Sequence, residues 1–218
     1  MNAFKSVLPL SLLALAGCSV LGGGQRDPIT LYSPQVQVAP DPAWPMVDFS
    51  LVVARPNATR LVDSPRITVR PVPGELQVYQ HASWAQPSTD IVLDAILRTL
   101  EDSGRIHAVA SSEAGIRADY RLVTDIRRFE SDYGGGAQPS VVIEINAKLV
   151  HYRDQRVVAA RTFLHSEAVG GTEVARVTDT FERALGVITR DIVGWVLGSG
   201  QQDRLSPPPP VAVPRRNG

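Results

Sequence analysis

Two periods of apolar residues alternate along this chain, and the switches between them mark out its elements. Tyr120, Leu122, Thr124 and Ile126 recur at every second position, with Arg121, Val123, Asp125 and Arg127 between them. Val141, Ile143, Ile145, Ala147 and Leu149 then face one way while Glu144, Asn146 and Lys148 face the other. This is the pattern of antiparallel strands with one wet face. Gly134-Gly135-Gly136 separates the two runs, and Arg153-Asp154-Gln155 turns the chain into a third long strand over residues 157–168. Upstream, residues 49–53, 66–70 and 75–79 read as shorter strands, with Pro73-Gly74 as the turn between the last two.

In two segments the spacing changes to three and four. Val92, Leu93, Ile96, Leu97 and Leu100 fall on one helical stripe, with Ser88 placed to cap its start and Gly104 to end it. Val174, Val177, Phe181, Leu185, Ile188, Ile192 and Trp195 form a longer stripe between Thr172 and Gly198. At ~1.5 Å per residue such a helix is about 37 Å long, enough to cover three strands from edge to edge. The order strands, helix, strands, helix predicts an α+β fold: an antiparallel β-meander sheet with two helices packed on it, in a single domain over residues 48–199.

Proline placement sets those limits. Nine of the 17 prolines lie between Pro28 and Pro73, and between residues 88 and 206 there is only Pro139. Proline blocks helix interiors and central strands, so regular structure is expected mainly in the second region. Residues 18–47, Pro/Gly-rich, read as a spacer. Residues 200–218, with Pro207 to Pro210 and Arg215-Arg216, read as a disordered tail, either a solvated end or a contact for an anionic surface.

The first twenty residues carry an export signal. Lys5 supplies a short positive region, residues 7–16 are mostly apolar, and Leu15-Ala16-Gly17 offers small residues for cleavage. A bilayer core needs roughly 20 apolar residues to be spanned, so this stretch is too short to remain as a membrane helix. Leu15-Ala16-Gly17-Cys18 resembles the bacterial lipobox at all four positions. That resemblance implies removal of residues 1–17, a diacylglycerol on the Cys18 thiol and an N-acyl group on its new amine; the alternative is an ordinary secreted protein. Ser19 follows the cysteine, and similarity to the enterobacterial sorting rule then implies the inner leaflet of the outer membrane over the periplasmic face of the inner membrane. Cys18 is the only cysteine, so the domain can form no internal disulfide. Removing residues 1–17 leaves 21 basic against 22 acidic residues, a balance that gives no case for a nucleic-acid partner.

Taken in order, the segments resemble the ABC-type transport auxiliary lipoprotein family over residues 29–198. The resemblance rests on the lipobox, then Ile29-Thr30-Leu31-Tyr32, then Ser64-Pro65-Arg66-Ile67 ahead of a strand. It continues with Tyr79 shortly before Trp84-Ala85-Gln86-Pro87, the Ile126-x-x-Phe129 spacing, and Trp195 near the end of the last helix. It implies a non-enzymatic outer-membrane lipoprotein of an MCE-type (mammalian cell entry) lipid transport system. Its partners would be an MCE-domain protein and, through it, an ABC permease and ATPase. Unpaired strand edges also admit a homo-oligomer. An outer-membrane lipoprotein that regulates a cell-wall synthase is the alternative, since residues 19–47 could span at most about 100 Å.

Catalytic signatures are missing. There is no P-loop and no Gly-x-Ser-x-Gly elbow. His81, His107, His151 and His165 lack zinc-ligand spacing, although His151 and His165 could meet across a hairpin. No enzyme activity, metal or cofactor beyond the covalent lipid is expected. Two aromatic residues are candidate partner contacts, Tyr79 and Trp84, because such side chains are favoured at interface hot spots. The competing reading makes Trp84 a core residue under the helix start, and Trp195 a core residue of the last helix. Gly134-Gly135-Gly136 is either a mobile contact loop or a plain hairpin connection. Cys18→Ser is expected to abolish incorporation of radiolabelled palmitate, measured on the immunoprecipitated chain.

Overall fold

A computed structural model describes residues 28–206. In chain order its strands are β1 (Thr30–Tyr32), β2 (Val47–Val53), β3 (Asn57–Ala58), β4 (Arg66–Arg70) and β5 (Gln77–Trp84). Helix α1 (Ser88–Ser103) leads to β6 (Ile106–Ser111), and a short 3-10 turn precedes β7 (Tyr120–Asp132). Then come β8 (Ser140–His151), β9 (Val157–Ala168) and α2 (Val174–Leu205). Residues 1–27, with the signal segment and Cys18, and residues 207–218 lie outside the described residues; residues 200–205, expected to open the disordered tail, are instead the last turns of α2.

β7 is the axis of the sheet. One edge pairs antiparallel with β8 from Tyr120↔His151 to Asp132↔Ser140, and β8 pairs antiparallel with β9. The other edge of β7 is divided among β2, β3 and β4, all parallel to it. β2 also pairs parallel with β6, β4 antiparallel with β5, and β5 parallel with β1. The sheet is therefore mixed, which corrects the expected antiparallel meander. The meander is real for β7–β8–β9. Period-two alternation reports which face is buried and carries no information on strand direction. Direction comes from the connections, and parallel neighbours need a crossover, which α1 provides on the way to β6.

Both helices cover one face. Phe181 on α2 lies 4.9 Å from the stacked ring of Phe129 and 5.2 Å from Trp84, edge to face. This aromatic cluster is fully buried beside Ile67, Leu100, Ile143 and Ile188. Aromatic pairs of this kind contribute about 0.5–1.5 kcal/mol each beyond their area. Glycine lets two rings seat directly on α2: a Cβ at Gly194 would lie 2.6 Å from Trp44 Nε1, and one at Gly200 would lie 2.5 Å from the Phe49 ring. Gly104 ends α1 in the left-handed conformation, φ 59°. Gly198 does not end α2, since it keeps a helical φ and the helix runs on to Leu205. Packing explains this, because Leu197 and Gly200 still face the core. At the other ends, Pro87 and Glu173 occupy the cap positions, one residue away from the expected Ser88 and Thr172.

Part of the expected spacer belongs to the domain. Thr30–Tyr32 pairs with Ala82–Trp84 of β5, and Trp44 is 7% exposed. At the far end, α2 is fastened to the sheet by charge. Arg156 holds Asp203 with two contacts of 2.9 and 3.1 Å, and the Tyr120 hydroxyl donates to the same carboxylate at 2.9 Å. Burial pushes the Asp203 carboxyl up, but the bonds from Arg156 and Tyr120 outweigh it and hold it below the usual carboxylate range. A depressed folded-state value means stability that is present above pH 4 and lost as pH falls through that value. Urea unfolding midpoints should therefore drop between about pH 4 and pH 2, and Asp203→Asn should be less stable at pH 7 and flatter across this window.

Candidate functional site

The site is built on a distortion in β5. Arg66 of β4 pairs with Ser83, but Thr68, two residues on, pairs with Val78. One residue of β4 thus faces four of β5, residues 79–82, which bulge from the ladder. His81 takes φ 57°, a left-handed conformation that non-glycine residues rarely adopt. Bulges of this kind re-aim side chains next to functional surfaces. Here the bulge carries Tyr79, which is half-buried with its Oη 3.0 Å from Ser131 Oγ on β7.

The glycine loop between β7 and β8 closes the site from the other side. Gly134 and Gly135 take φ 54° and 83°, which lets the chain turn back on the β4–β5 hairpin. Tyr133 N–H donates to Arg70 O at 2.9 Å, and Gly135 N–H to Pro71 O at 3.0 Å. Asp132 Oδ1 accepts from Gly134 N–H at 2.8 Å. The loop is thus a stitched hairpin connection. Between it and β5 lies a groove of about 530 Å³ lined by Val72, Val78, Tyr79, Gln80 and Tyr133. Val72 at 39% exposure and Leu76 at 38% leave apolar surface on the same hairpin.

A charged cluster backs this end of the sheet. Glu130 is 3% exposed, and its carboxylate accepts from Arg70 at 2.8 and 3.0 Å and from Arg128 at 2.7 Å. Arg128 also pairs with Asp132. A buried carboxylate shared by two guanidiniums is satisfied in place, so it stiffens the end of β7. The cluster owes its position to a register shift in β7 between Ile126 and Arg128. The shift turns Phe129 into the core and sets Glu130 among the arginines.

The structure keeps Tyr79 at the surface and moves Trp84 away from it. Trp84 is 1% exposed, with its ring edge-on to the stacked pair Phe129 and Phe181, so the surface-anchor reading of Trp84 is corrected to a core role. Its position still matters, because it fixes the end of the strand that carries the bulge. Trp195 is half-buried, edge-on to Phe163 at 5.7 Å. His151 and His165 are not brought together, since His165 pairs with Ile143 while His151 closes the opposite end of β8. Among the described residues no group of three His, Cys, Asp or Glu side chains gathers to hold a metal ion. Tyr133 and the Arg70–Glu130–Arg128–Asp132 cluster escape a reading by periodicity. One signal for them exists: Ile126 and Phe129, three apart in a strand, can share a face only across a bulge.

The groove offers aromatic faces, a hydroxyl and apolar rims, which is the chemistry of recognition. Burial pushes the Tyr79 hydroxyl up to about 12. Tyr120 is raised as well, by burial and by Asp203. Phenolate absorbance should show these two tyrosines ionising late. A raised value means stability present below pH 10 and lost as pH climbs through about 12. Tyr79→Phe should remove one late-ionising group and cost about 1 kcal/mol in urea unfolding by loss of the Ser131 bond.

Comparison with known proteins agrees with this architecture. The crystal structure of protein XCC0632 from Xanthomonas campestris is 54% identical, superposes with a TM-score of 0.79, and covers 81% of this chain and 99% of that one. A second crystal structure, of an uncharacterized protein, shares the fold at 13% identity and a TM-score of 0.62, covering 78% of this chain and 99% of that one. Protein bll6063 of Bradyrhizobium diazoefficiens is 29% identical over 188 residues, 84% of this chain. The chain spans 49% of that relative's length. No helix among the described residues is long and apolar enough to cross a membrane. The family model described as "ABC-type transport auxiliary lipoprotein component", which is not an enzyme family, matches residues 30–193, and the chain belongs to that family.

Proposed function

We propose that this chain is the non-enzymatic, lipid-anchored subunit of an ABC/MCE-type intermembrane lipid transport system. Diacylglycerol and an N-acyl group on Cys18 hold it in the inner leaflet of the outer membrane, and the domain docks an MCE-domain protein that leads to the ABC permease and ATPase. The family match over residues 30–193 carries this reading. The groove between β5 and the β7–β8 loop supports it, with Tyr79 and Tyr133 as contacts of the kind that anchor interfaces. Each buried methylene of an acyl chain contributes about 0.8 kcal/mol, so two or three chains on one residue anchor far more firmly than one.

Regulation of a cell-wall synthase is the alternative reading, and the reach of the docked tether bears on it. With β1 paired to β5, only residues 19–29 separate the lipid from the folded domain. Whatever their conformation, those residues span at most about 40 Å, against the 100 Å that a spacer running to residue 47 would allow. Copurification after crosslinking in cells tests the proposal. The MCE-domain protein is expected with the wild-type chain and at least tenfold less with Tyr79→Ala combined with Tyr133→Ala. Recovery of a cell-wall synthase and no MCE-domain protein would reverse the assignment.

A further inference from the structure

Residues 33–39 form no helix or strand, yet their exposure alternates at period two. Pro34, Val36 and Val38 are half-buried while Ser33, Gln35, Gln37 and Ala39 are exposed. This arm lies across the helix layer as a ridge with a cleft on each flank. One cleft, about 650 Å³, separates it from Asp94, Arg98 and Asp102 of α1. The other, about 470 Å³, separates it from Val187 and Arg190 of α2. Among the described residues its backbone makes one hydrogen bond to the rest of the domain, Gln35 N–H to Glu182 Oε2 at 2.8 Å.

The hold on the chain is uneven on either side of the arm. Before it, β1 has three residue pairs with β5 and one further bond, from Ala85 N–H to Tyr32 O at 2.8 Å. After it, Trp44 is wedged against the bare backbone of Gly194, and β2 then enters the sheet between β6 and β7. Tension on the N-terminus meets the three pairs of edge strand β1 with half-buried Tyr32, then two half-buried valines and one hydrogen bond, then a tryptophan that cannot slide without opening the core.

We propose that residues 30–43 are a releasable reserve of tether, with Trp44 as its stop. Docked, the lipid stands at most about 40 Å from the domain; released, residues 19–43 extend that limit to roughly 85 Å. The domain keeps its fold in both states, so its distance from the membrane changes while its groove stays intact. The cellular meaning of this reserve rests on lipidation of Cys18, but its mechanics do not.

Optical tweezers on the chain from residue 18 onward test the mechanics. One handle is attached to the thiol of Cys18, the single cysteine, and the other to the C-terminus. The expected trace has a first, reversible extension of up to roughly 50 Å of contour, at a force below that of global unfolding. Val36→Asp with Val38→Asp should move this first step to lower force and leave the global event in place. Gly194→Ala, which displaces the Trp44 ring, should lengthen the first step towards the start of β2. A single cooperative event with nothing before it overturns the proposal, as does a first step that the double valine variant does not move. Absence of palmitate on Cys18 with the first step intact would remove the anchor reading and leave the mechanical one standing.

Discussion

The division of labour on β7 is the constraint from which the rest of the structure follows. Its edge towards β8 is one long antiparallel ladder, and its other edge is shared by β2, β3 and β4 in three short stretches. A strand of 13 residues cannot serve three short partners and one long one without adjusting its twist. The register shift between Ile126 and Arg128 makes that adjustment. Before it, the even-numbered positions face the helices; after it, Phe129 and Ser131 do. The same shift completes the core beneath Phe181, gives Tyr79 a hydroxyl partner, and gathers Arg70, Arg128, Glu130 and Asp132 into a rigid backing.

The N-terminal strand and the groove both lie against β5. β1 pairs with residues 82–84, immediately after the bulge that presents Tyr79. Trp84, at the end of that strand, packs edge-on against the stacked rings of Phe129 and Phe181. A pull through β1 and a load on the groove are thus both borne by a strand pinned at its end by the largest ring in the core. The bulge stores a left-handed His81, a conformation that costs of order 1–3 kcal/mol and persists only where the surroundings over-determine it.

Much of this fold is readable from periodicity, and the exceptions have physical reasons. β7, β8 and α2 each have one buried face and one wetter face, so their period survives in the residues. β1 hides among prolines, β3 has two residues, and the short β6 follows a helix stop with only six. Strand direction in the N-terminal half depends on crossovers that no local pattern records. Gly198 looks like a helix end because glycine usually is one, yet packing past Leu197 carries α2 another turn and more. At the site, Tyr79 is legible as an aromatic near a turn. Tyr133 is not, because it becomes a neighbour of Tyr79 only when the glycine loop is stitched to Arg70 and Pro71.

If the groove is where the partner binds, proximity within the living cell will say so. A photocrosslinking residue can replace the exposed Gln80 on the bulge or the exposed Lys148 on the outer face of β8. The account predicts that position 80 couples to an MCE-domain protein on illumination and that position 148 does not. Coupling from position 148 alone, or equal coupling from both, would contradict it.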